Sequence, residues 1–408
     1  AGSRWRIAIA AWGTTQWAVT IGSLPLLLLF FQQFSLISPL ANAIAIPIIS
    51  FIITPLALLS VVLPSGWMSW LLQLDHALLS LLMEMLIRMA ELPVIERPAP
   101  PPVAVGLAIL GVVWLLMPRG VPACWVGILL LLPALFFQPV RPDTGKARVT
   151  VLDVGQGLAV HVQTAGHDLL YDTGPAFSAD ANSGERILLP YLRAEGVRRL
   201  DSLVVTHQDN DHSGGAEAVL TGIPVAEVRS SLSQNHPARL IAGARHQPCV
   251  AGQTWDWDGV RFTMLHPGRA ADDSPGSKTN DVACVLRVEA GGLSALLTSD
   301  IEAVSEAELL QGQAGQLASD VLVVPHHGSR SSSTAAFIAA TRPRWVIFPV
   351  GYLNRFRHPN AQVWARWAAT GAGMWRTDAA GVVSVHLAPG GPRFETARAA
   401  APRYWHGR

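Results

Sequence analysis

The sequence has little charge, and the shortage is greatest in its first third. Only 14% of its 408 residues are Asp, Glu, Lys or Arg, compared with about 25% in an ordinary soluble domain. Nine of these residues fall within residues 1–140, and none falls in the 68 residues from Ile7 to Leu74. A soluble core does not need such a run, whereas helices in a lipid bilayer do. The sequence therefore excludes a wholly soluble protein and predicts a multi-pass α-helical membrane region over residues 1–140.

Cysteine is scarce as well, and the charge of the remaining chain is balanced. Cys124 lies in an apolar run, and Cys249 and Cys284 are far apart with no C-x-x-C motif, so the sequence predicts no disulfide framework. Residues 141–408 contain 25 basic and 25 acidic residues. Bulk charge therefore indicates no nucleic-acid partner, and any such partner has to be argued from a local site.

Proline is frequent within the membrane region. Two or three apolar spans between Ile7 and Leu63 are interrupted by four prolines, Pro25, Pro39, Pro47 and Pro55. Proline at membrane depth kinks or breaks a helix, and the freed carbonyl groups must then face protein or a cavity rather than lipid. Several such helices in succession favour a transporter or channel core over a simple anchor.

Three more segments complete this region. Residues 66–92 predict one long helix with Glu84, Arg88 and Glu91 on one face. We expect this helix to lie in the membrane interface rather than to line a polar pathway. Residues 98–118 and 120–140 contain no charge, and each is long enough to predict a further span.

The pattern changes after a linker at residues 141–147. Short β-rich runs then alternate with helical runs, which predicts an α/β domain over residues 148–408. The predicted strands are 148–154, 159–163, 168–171, 200–206, 260–265, 282–288, 293–297, 321–324 and 345–349. The predicted helices are 185–195, 216–220, 305–311, 333–341 and 361–370.

The segment T-H-Q-D-N-D-H-S-G-G at residues 206–215 carries the clearest chemistry. It follows the apolar strand LDSLVV directly, so His207, Asp209, Asp211 and His212 are predicted to share one tight turn at a strand end. Imidazole and carboxylate groups together suit Zn²⁺, Mn²⁺ or Fe.

Further ligand candidates recur at the ends of other predicted strands. They are Asp172 in LLYDTG, Asp300 in ALLTSD, and His326 and His327 in VPHHGS. One such residue alone is more often a turn former or a helix cap. All of them together, in this order, predict a site for two divalent metal ions.

This order of motifs resembles the metallo-β-lactamase fold superfamily, whose fold is an αββα sandwich. Within it, VLDVGQGLAV at residues 151–160, TSDIE, and NRFRHP at 354–359 resemble the C-terminal part of the ComEC family, inner-membrane DNA-uptake proteins of naturally competent bacteria. FSLISPLANAIAIP at residues 34–47 is similar to that family's membrane region. The family's N-terminal domain and first helices have no counterpart, so we expect a chain that is truncated at its N-terminus.

The resemblance implies a role for each ligand candidate, with supporting residues behind the ligands. The implied ligands are His207 and Asp209 for the first ion, Asp211, His212 and His327 for the second, Asp300 as a bridge, and Asp172 and His326 as supports.

Two positions depart from the superfamily pattern. Asp209 stands where the superfamily usually has His, and the third ligand of the first ion corresponds to Asn280, with His266 as the other candidate. Oxygen ligands shift the preference from Zn²⁺ toward Mn²⁺. We therefore expect two divalent ions, with Mn²⁺ favoured and Zn²⁺ as the alternative.

The resemblance further implies a metal-dependent nuclease in DNA uptake across the bacterial inner membrane. Its partners would be a single DNA strand derived from duplex, membrane lipid and other competence proteins. Asp211 would accept a proton, and His358 would donate one to the leaving oxygen or contact phosphate, unless it lies in a plain surface loop. Two other interpretations remain: an anchored hydrolase such as a phosphodiesterase or lactonase, and a transport protein whose domain has lost its activity.

Overall fold

Long helices form where the sequence lacks charge. A computed structural model describes residues 2–118, 120–241, 243–271 and 276–406, and the chain divides into one unit of residues 1–139 with 193–196 and another of 140–192 with 197–408. The first unit contains the helices α1 (Gly2–Phe31), α2 (Ser38–Ile48), α3 (Thr54–Val62), α4 (Ser65–Ala90), α5 (Pro102–Leu115) and α6 (Val126–Leu135) and the paired strands β1 (Gln33–Phe34) and β2 (Ile95–Glu96).

Three helical stretches are long and apolar enough to cross a membrane by length and composition. They are Arg4–Phe31, Ser38–Val62 and Ser65–Ala90. The stretch from Ser38 to Val62 stays continuous despite Pro47 and Pro55, because a π-helical turn at Ile49–Ile53 lies between them. In that turn the Thr54 N–H donates to the carbonyl of Ile49, five residues back. A widened turn accommodates a proline that neither donates a hydrogen bond nor fits a regular helix.

The two spans predicted at residues 98–118 and 120–140 are wrong as continuous helices. The helices α5 and α6 have 14 and 10 residues, so they are about 21 and 15 Å long, shorter than the roughly 30 Å hydrocarbon layer. The two helices pack so closely that a Cβ atom on Gly111 would lie only 2.6 Å from the carbonyl oxygen of Gly127. Close packing of small residues is typical of helix pairs in membranes. Arg119 lies outside the described residues.

Two sheets form the centre of the second unit. In spatial order the first contains β10 (Arg245–Pro248), β9 (Val225–Ser230), β8 (Leu200–Val205), β5 (Asp168–Tyr171), β4 (Val160–Gln163), β3 (Ala147–Val151), β18 (Val383–Leu387) and β19 (Arg393–Thr396). The second contains β11 (Thr254–Trp257), β12 (Val260–His266), β13 (Val285–Ala290), β14 (Leu293–Leu297), β15 (Val321–Val323), β16 (Trp345–Phe348) and β17 (Gly373–Arg376). A small hairpin joins β6 (Ala176–Ser178) to β7 (Ala181–Asn182).

Helices cover the outer faces of both sheets, which gives the four-layer αββα order expected for the superfamily. The helices are α7 (Leu189–Ala194), α8 (Asn210–Ser213), α9 (Ala216–Gly222), α10 (Pro237–Leu240), α11 (Ala303–Gly312), α12 (Ala335–Thr341), α13 (Ala361–Ala368), α14 (Thr377–Ala380) and α15 (Ala397–Ala400). One core lies between the sheets, with Val160 and Leu169 from the first sheet against Leu286 and Leu297 from the second. A further core lies between the first sheet and its helices, and another between the second sheet and its helices.

All nine predicted strands are present, and two of their ends are shifted by three residues. β3 ends at Val151 rather than Val154, because the chain turns there toward Gly155. β13 begins at Val285 rather than at Val282, because Thr279–Val282 forms a 3-10 turn. The short strands β9, β10, β11, β17, β18 and β19 were not predicted, although β11 and β18 alternate apolar and polar residues.

The prediction of no disulfide framework is wrong in one respect. Cys249 and Cys284, 35 residues apart, form a disulfide, and both lie in the core between the sheets. Their separation in sequence gives no indication of this, because the two residues meet only when the sheets pack.

The predicted linker at residues 141–147 is bound to the second unit. The Arg141 guanidinium donates to the carbonyls of Thr164, Ala165 and His167 and to the Asp168 carboxylate. The Gly145 N–H donates to the carbonyl of Asp258 at 2.6 Å. These contacts make the segment an ordered part of this unit.

Candidate metal centre

The predicted ligands meet at one edge of the sandwich because they follow parallel strands. β5 and β8 are parallel neighbours in the first sheet, and β14 and β15 are parallel neighbours in the second. Asp172 directly follows β5, and His207 is the second residue after β8. Asp300 is the third residue after β14, and His327 is the fourth after β15. The carboxyl ends of parallel strands are where loops gather functional side chains in such sheets.

Four side chains form the centre of the cluster. One ligand atom from each of Asp211, His212, Asp300 and His327 lies within 4.8 Å of the others. The Asp300 Oδ1 atom is 3.0 Å from His212 Nε2 and 3.4 Å from His327 Nε2. Both histidines and Asp300 are buried, whereas Asp211 is partly exposed. A buried group of two imidazoles and two carboxylates matches the donor set of a divalent metal site.

Each histidine of the cluster is held through its Nδ1 atom. His212 Nδ1 is 2.7 Å from Asp172 Oδ2, and His327 Nδ1 is 2.7 Å from the carbonyl oxygen of Pro349. Both acceptors require Nδ1 to carry the proton, which leaves Nε2 free to bind a metal. Metal-binding histidines are oriented by such outer partners.

His207 completes this arrangement on the other side of the cluster. Its ring centroid is 4.3 Å from that of His212, and its Nδ1 atom is 3.0 Å from Thr206 Oγ1. Its Nε2 atom is buried and has no hydrogen-bond partner among the described residues. A buried imidazole nitrogen without a partner is costly, and a metal ion would satisfy it. The residues therefore fit a bound cation.

Asp209 and Asn280 are the other predicted ligands of the first ion. Asp209 Oδ2 is 3.7 Å from His207 Nε2. Asn280 Oδ1 is buried without a hydrogen-bond partner in the part of the chain that the structure describes. The other candidate, His266, is engaged elsewhere, because its two ring nitrogens contact the carbonyl of Ala283 and the carboxylate of Glu308. This contrast favours Asn280 over His266.

The charges of the cluster shift the pKa values of its members in opposite directions. Burial lowers the pKa of His207 to about 4, and the nearby His212 adds to the effect. Burial also opposes protonation of His212 and His327, but neighbouring carboxylates together outweigh it and raise the pKa of both. These are Asp300 and Asp172 at His212, and Asp300 and Asp211 at His327. The same histidines hold the pKa of Asp300 and of Asp211 below the usual range, although burial acts against them.

Two supporting residues were missed by the sequence analysis. Thr206 donates to Asp172 through its backbone N–H and its hydroxyl, both at 2.8 Å. Ser299 lies 2.5 Å from the Thr206 hydroxyl and 3.4 Å from Asp172. Each stands next to a predicted ligand, and this adjacency is the only signal that the sequence offers.

Glycines let the ligand loop pack against its neighbours. Gly157 of the G-Q-G turn has a φ of +150°, and a Cβ there would clash with the carbonyl oxygen of Asp211. A Cβ on Gly214 would clash with the backbone N–H of Ala176. The G-Q-G turn therefore supports the ligand loop by close approach.

His326 and His358 lie beside the cluster. His326 Nε2 is 3.6 Å from Asp300 Oδ2, and its Nδ1 atom is 3.2 Å from Glu302. The His358 ring centroid is 6.4 Å from that of His327. Burial, together with His327 and His326, lowers the pKa of His358 to about 4, so the ring is neutral at pH 7. A neutral ring favours contact with phosphate over proton donation.

The comparison with known families agrees with this organisation. A family model described as "Competence protein" matches residues 1–122, and that of the metallo-beta-lactamase superfamily matches residues 152–351. This chain joins a competence-protein domain to a metallo-β-lactamase domain. The fold of the metallo-β-lactamase domain is that of metal-dependent hydrolases, and it implies that divalent metal is bound.

Individual relatives match most of the chain. "Competence protein ComA" of Neisseria gonorrhoeae is 38% identical over 94% of this chain and 52% of its own length. "ComE operon protein 3" of Bacillus subtilis is 31% identical over 89% of this chain and 50% of its own. The chain thus spans about half the length of these relatives. Among solved structures, the metallo-beta-lactamase fold protein YhfI of Bacillus subtilis is 11% identical, with a TM-score of 0.36 over 56% of this chain and 95% of that one.

Metal binding by the metallo-β-lactamase domain is predicted to release protons at pH 7. Because the pKa values of His212 and His327 are raised, a cation competes with protons for their Nε2 atoms, whereas the lowered pKa of His207 leaves that ring neutral. Metal affinity should therefore rise as the pH increases and fall as it decreases. Titration calorimetry of the full chain with Mn²⁺ in PIPES and in Tris, whose heats of protonation differ, should show a binding heat that depends on the buffer because protons are released. A heat independent of the buffer would contradict this.

The Asp172→Asn substitution is predicted to weaken metal binding by about 10- to 100-fold. The amide replaces a carboxylate oxygen that faces His212 and Thr206 with a group that donates instead, so the His212 ring loses its orientation. Competition with a fluorescent chelator measures the affinity, and thermal unfolding checks the fold. Asp256→Asn is the matched control, since Asp256 forms an exposed ion pair with Arg261. Equal loss in both variants would show that the effect is not specific to the site.

Proposed function

We propose that this chain takes part in DNA uptake across the bacterial inner membrane during natural transformation, and that its metallo-β-lactamase domain hydrolyses phosphodiester bonds of the strand that does not cross. One observation carries the proposal. His212 and His327 present Nε2 atoms to the carboxylates of Asp211 and Asp300, and the adjacent His207 has a buried Nε2 atom without a partner among the described residues. The first 122 residues of the same chain match a competence-protein model.

Residues 1–140 would form the multi-pass membrane part, in contact with lipid, and residues 148–408 the hydrolase, joined by residues 141–147. Support comes from three stretches long enough to span a bilayer. Further support comes from the short pair α5 and α6, because short helices at membrane depth are tolerated where protein or a cavity surrounds them. A simple anchor needs only one unbroken helix.

We assign two cation positions to the ligands. His207, Asp209 and Asn280 would hold the first ion, Asp211, His212 and His327 the second, and Asp300 both. Divalent ions at such a site lower the pKa of bound water and neutralise charge on the phosphate. The oxygen ligands Asp209 and Asn280 favour Mn²⁺ over Zn²⁺.

The neighbouring side chains handle the proton and the substrate. Asp211 is ionised at neutral pH, because His327 and His212 lower its pKa despite its burial, and its side chain is 30% exposed. It can therefore accept a proton from the attacking water. His358, neutral and adjacent to His327, would donate its N–H to a phosphate oxygen, while His326 and Asp172 hold the ligands in place.

The disulfide between Cys249 and Cys284 favours a location for the hydrolase outside the cytoplasm. Disulfides persist in oxidising compartments and are rare in reducing ones. Other competence proteins would deliver the duplex DNA to that side of the membrane. The nuclease would then meet the duplex before one of its strands enters the membrane.

Asp300→Ala is predicted to abolish hydrolysis of single-stranded DNA while the chain stays folded. Because Asp300 faces His212 and His327 together, the loss should exceed the roughly 10- to 100-fold effect of removing an outer partner. The full chain in detergent is assayed on a labelled 40-nucleotide strand with Mn²⁺, Zn²⁺ or chelator, and Asp256→Ala is the control.

Mn²⁺ should give the faster reaction, and Asp209→His should move the preference toward Zn²⁺. Unchanged turnover in folded Asp300→Ala protein would exclude the metal mechanism. Hydrolysis of a simple phosphodiester or lactone, with none of DNA, would instead support an anchored hydrolase of another substrate.

Transformation separates the transport role from hydrolysis. In a transformable host that depends on this protein, His207→Ala should leave the discarded strand intact and reduce uptake less than deletion of Ser38–Val62 does. Labelled duplex DNA, followed strand by strand on both sides of the membrane, measures both effects. If cells without Ser38–Val62 still take up DNA while the variant protein is present in the membrane, the transport role is wrong.

A further inference from the structure

One loop beside the metal centre exposes large apolar side chains that the fold does not need. It comprises residues 351–358, between β16 and α13. Tyr352 is 74% exposed, Leu353 82% and Phe356 52%, and Arg355 and Arg357 are exposed beside them. Contiguous exposed apolar side chains, unlike scattered single ones, mark interaction sites.

The loop is held in one shape. The Asn354 side chain donates to the carbonyls of Gly351 and His358 and accepts from the His358 N–H at 2.8 Å. The Gly351 N–H donates to the Gln156 side chain of the G-Q-G turn. Leu353 and Arg357 have φ values of +50° and +56°, which cost non-glycine residues energy and are found where function requires them.

Ring contacts connect this loop to the metal centre. The His358 ring stacks 6.4 Å from His327 at an interplanar angle of 21°. The Phe356 ring stacks 5.8 Å from His358 at 14°, and the Arg355 guanidinium lies 4.7 Å from the Phe356 ring. A row of flat groups therefore leads from a predicted ligand out to the exposed side chains.

We propose that the loop of residues 351–358 is a stacking platform for the unpaired bases of a single-stranded substrate. Tyr352 would lie under one base, and Phe356 under the next once the exposed Arg355 side chain leaves the Phe356 ring for a backbone phosphate. Arg357 would lie near another phosphate. The inference rests on the proposed hydrolysis of DNA. Aromatic rings bind bases of any sequence through their faces, which are covered in a duplex and free in a single strand. Aromatic and basic residues also occur at lipid surfaces, but continuity with the metal centre favours substrate.

Binding of two matched strands tests the platform. The full chain in detergent with Mn²⁺ is titrated with a fluorescent 20-mer of thymidylate and with an abasic 20-mer of the same length, both with phosphorothioate linkages that resist hydrolysis. Tyr352→Ser/Phe356→Ser should weaken binding of the thymidylate strand by at least about tenfold. Binding of the abasic strand should not change. Tyr352→Phe/Phe356→Tyr, which keeps both rings, should bind as the wild type does.

Tyr404→Ser is the matched control, since Tyr404 is 79% exposed and lies outside the loop. Its binding should equal that of the wild type. An equal loss of binding to the thymidylate and abasic strands in the Ser variants would overturn the platform. Unchanged binding of the thymidylate strand by folded Ser variants would overturn it as well. If the wild type binds neither strand, the proposed function fails as well. If it hydrolyses DNA while the Ser variants keep the wild-type KM, only the platform fails.

A lipid role for the loop gives a different result. Phe356→Cys in a Cys124→Ser background, labelled with bimane and reconstituted in nanodiscs, would be quenched by nitroxide-bearing lipids if the loop entered the bilayer. Such quenching, with no protection by the thymidylate strand, would assign the loop to lipid and overturn the proposal. The expected result is weak lipid quenching and a change in bimane emission when the strand binds.

Discussion

The buried carboxylate of Asp172 determines the geometry of the metal centre. Its backbone is in the left-handed region, with a φ of +60°, which Asp tolerates better than most residues. One oxygen accepts from the Thr206 N–H, and the other accepts from the Thr206 hydroxyl and from His212 Nδ1. The Thr206 hydroxyl in turn contacts Ser299, in the loop that follows β14 of the second sheet. One carboxylate thus fixes the orientation of His212 in α8 and connects it to the loop that carries Asp300. Because the carboxylate is fully buried, losing any of these donors would leave it with a large desolvation cost.

Which candidate side chains lie together can be predicted from the sequence where they are neighbours in the chain, whereas their roles as metal ligands stay a prediction. His207, Asp211 and His212 lie within six residues after an apolar strand, so one turn is enough to bring them together. The supporting contacts could not be predicted, because they depend on which strands become neighbours. Ser299 meets Thr206, and Cys249 meets Cys284, only after the two sheets pack. The role of the G-Q-G turn was also hidden, since it becomes clear only from the approach of the Asp211 backbone to Gly157.

Helix lengths in the first unit show a different limit of sequence analysis. An absence of charge over 21 residues is necessary for a spanning helix but does not produce one, because proline and glycine decide where a helix ends. The helix α5 ends before Pro118, and α6 begins only at Val126, after Pro122. The approach of Gly111 to Gly127 then depends on packing between two helices. Within Ser38–Val62 the reverse holds, since Pro47 and Pro55 predict breaks where the helix in fact continues.

The π-helical turn at Ile49–Ile53 has a consequence for the evolution of this segment. A turn of this kind contains one residue more than a regular turn, and each residue rotates a helix by about 100°. The part of the helix after Ile53 therefore presents a different face to its neighbours than a regular continuation of the part before it would. Relatives that lack the widened turn should carry a single-residue gap between the positions of Pro47 and Pro55. An alignment without gaps there would pair residues that point in different directions.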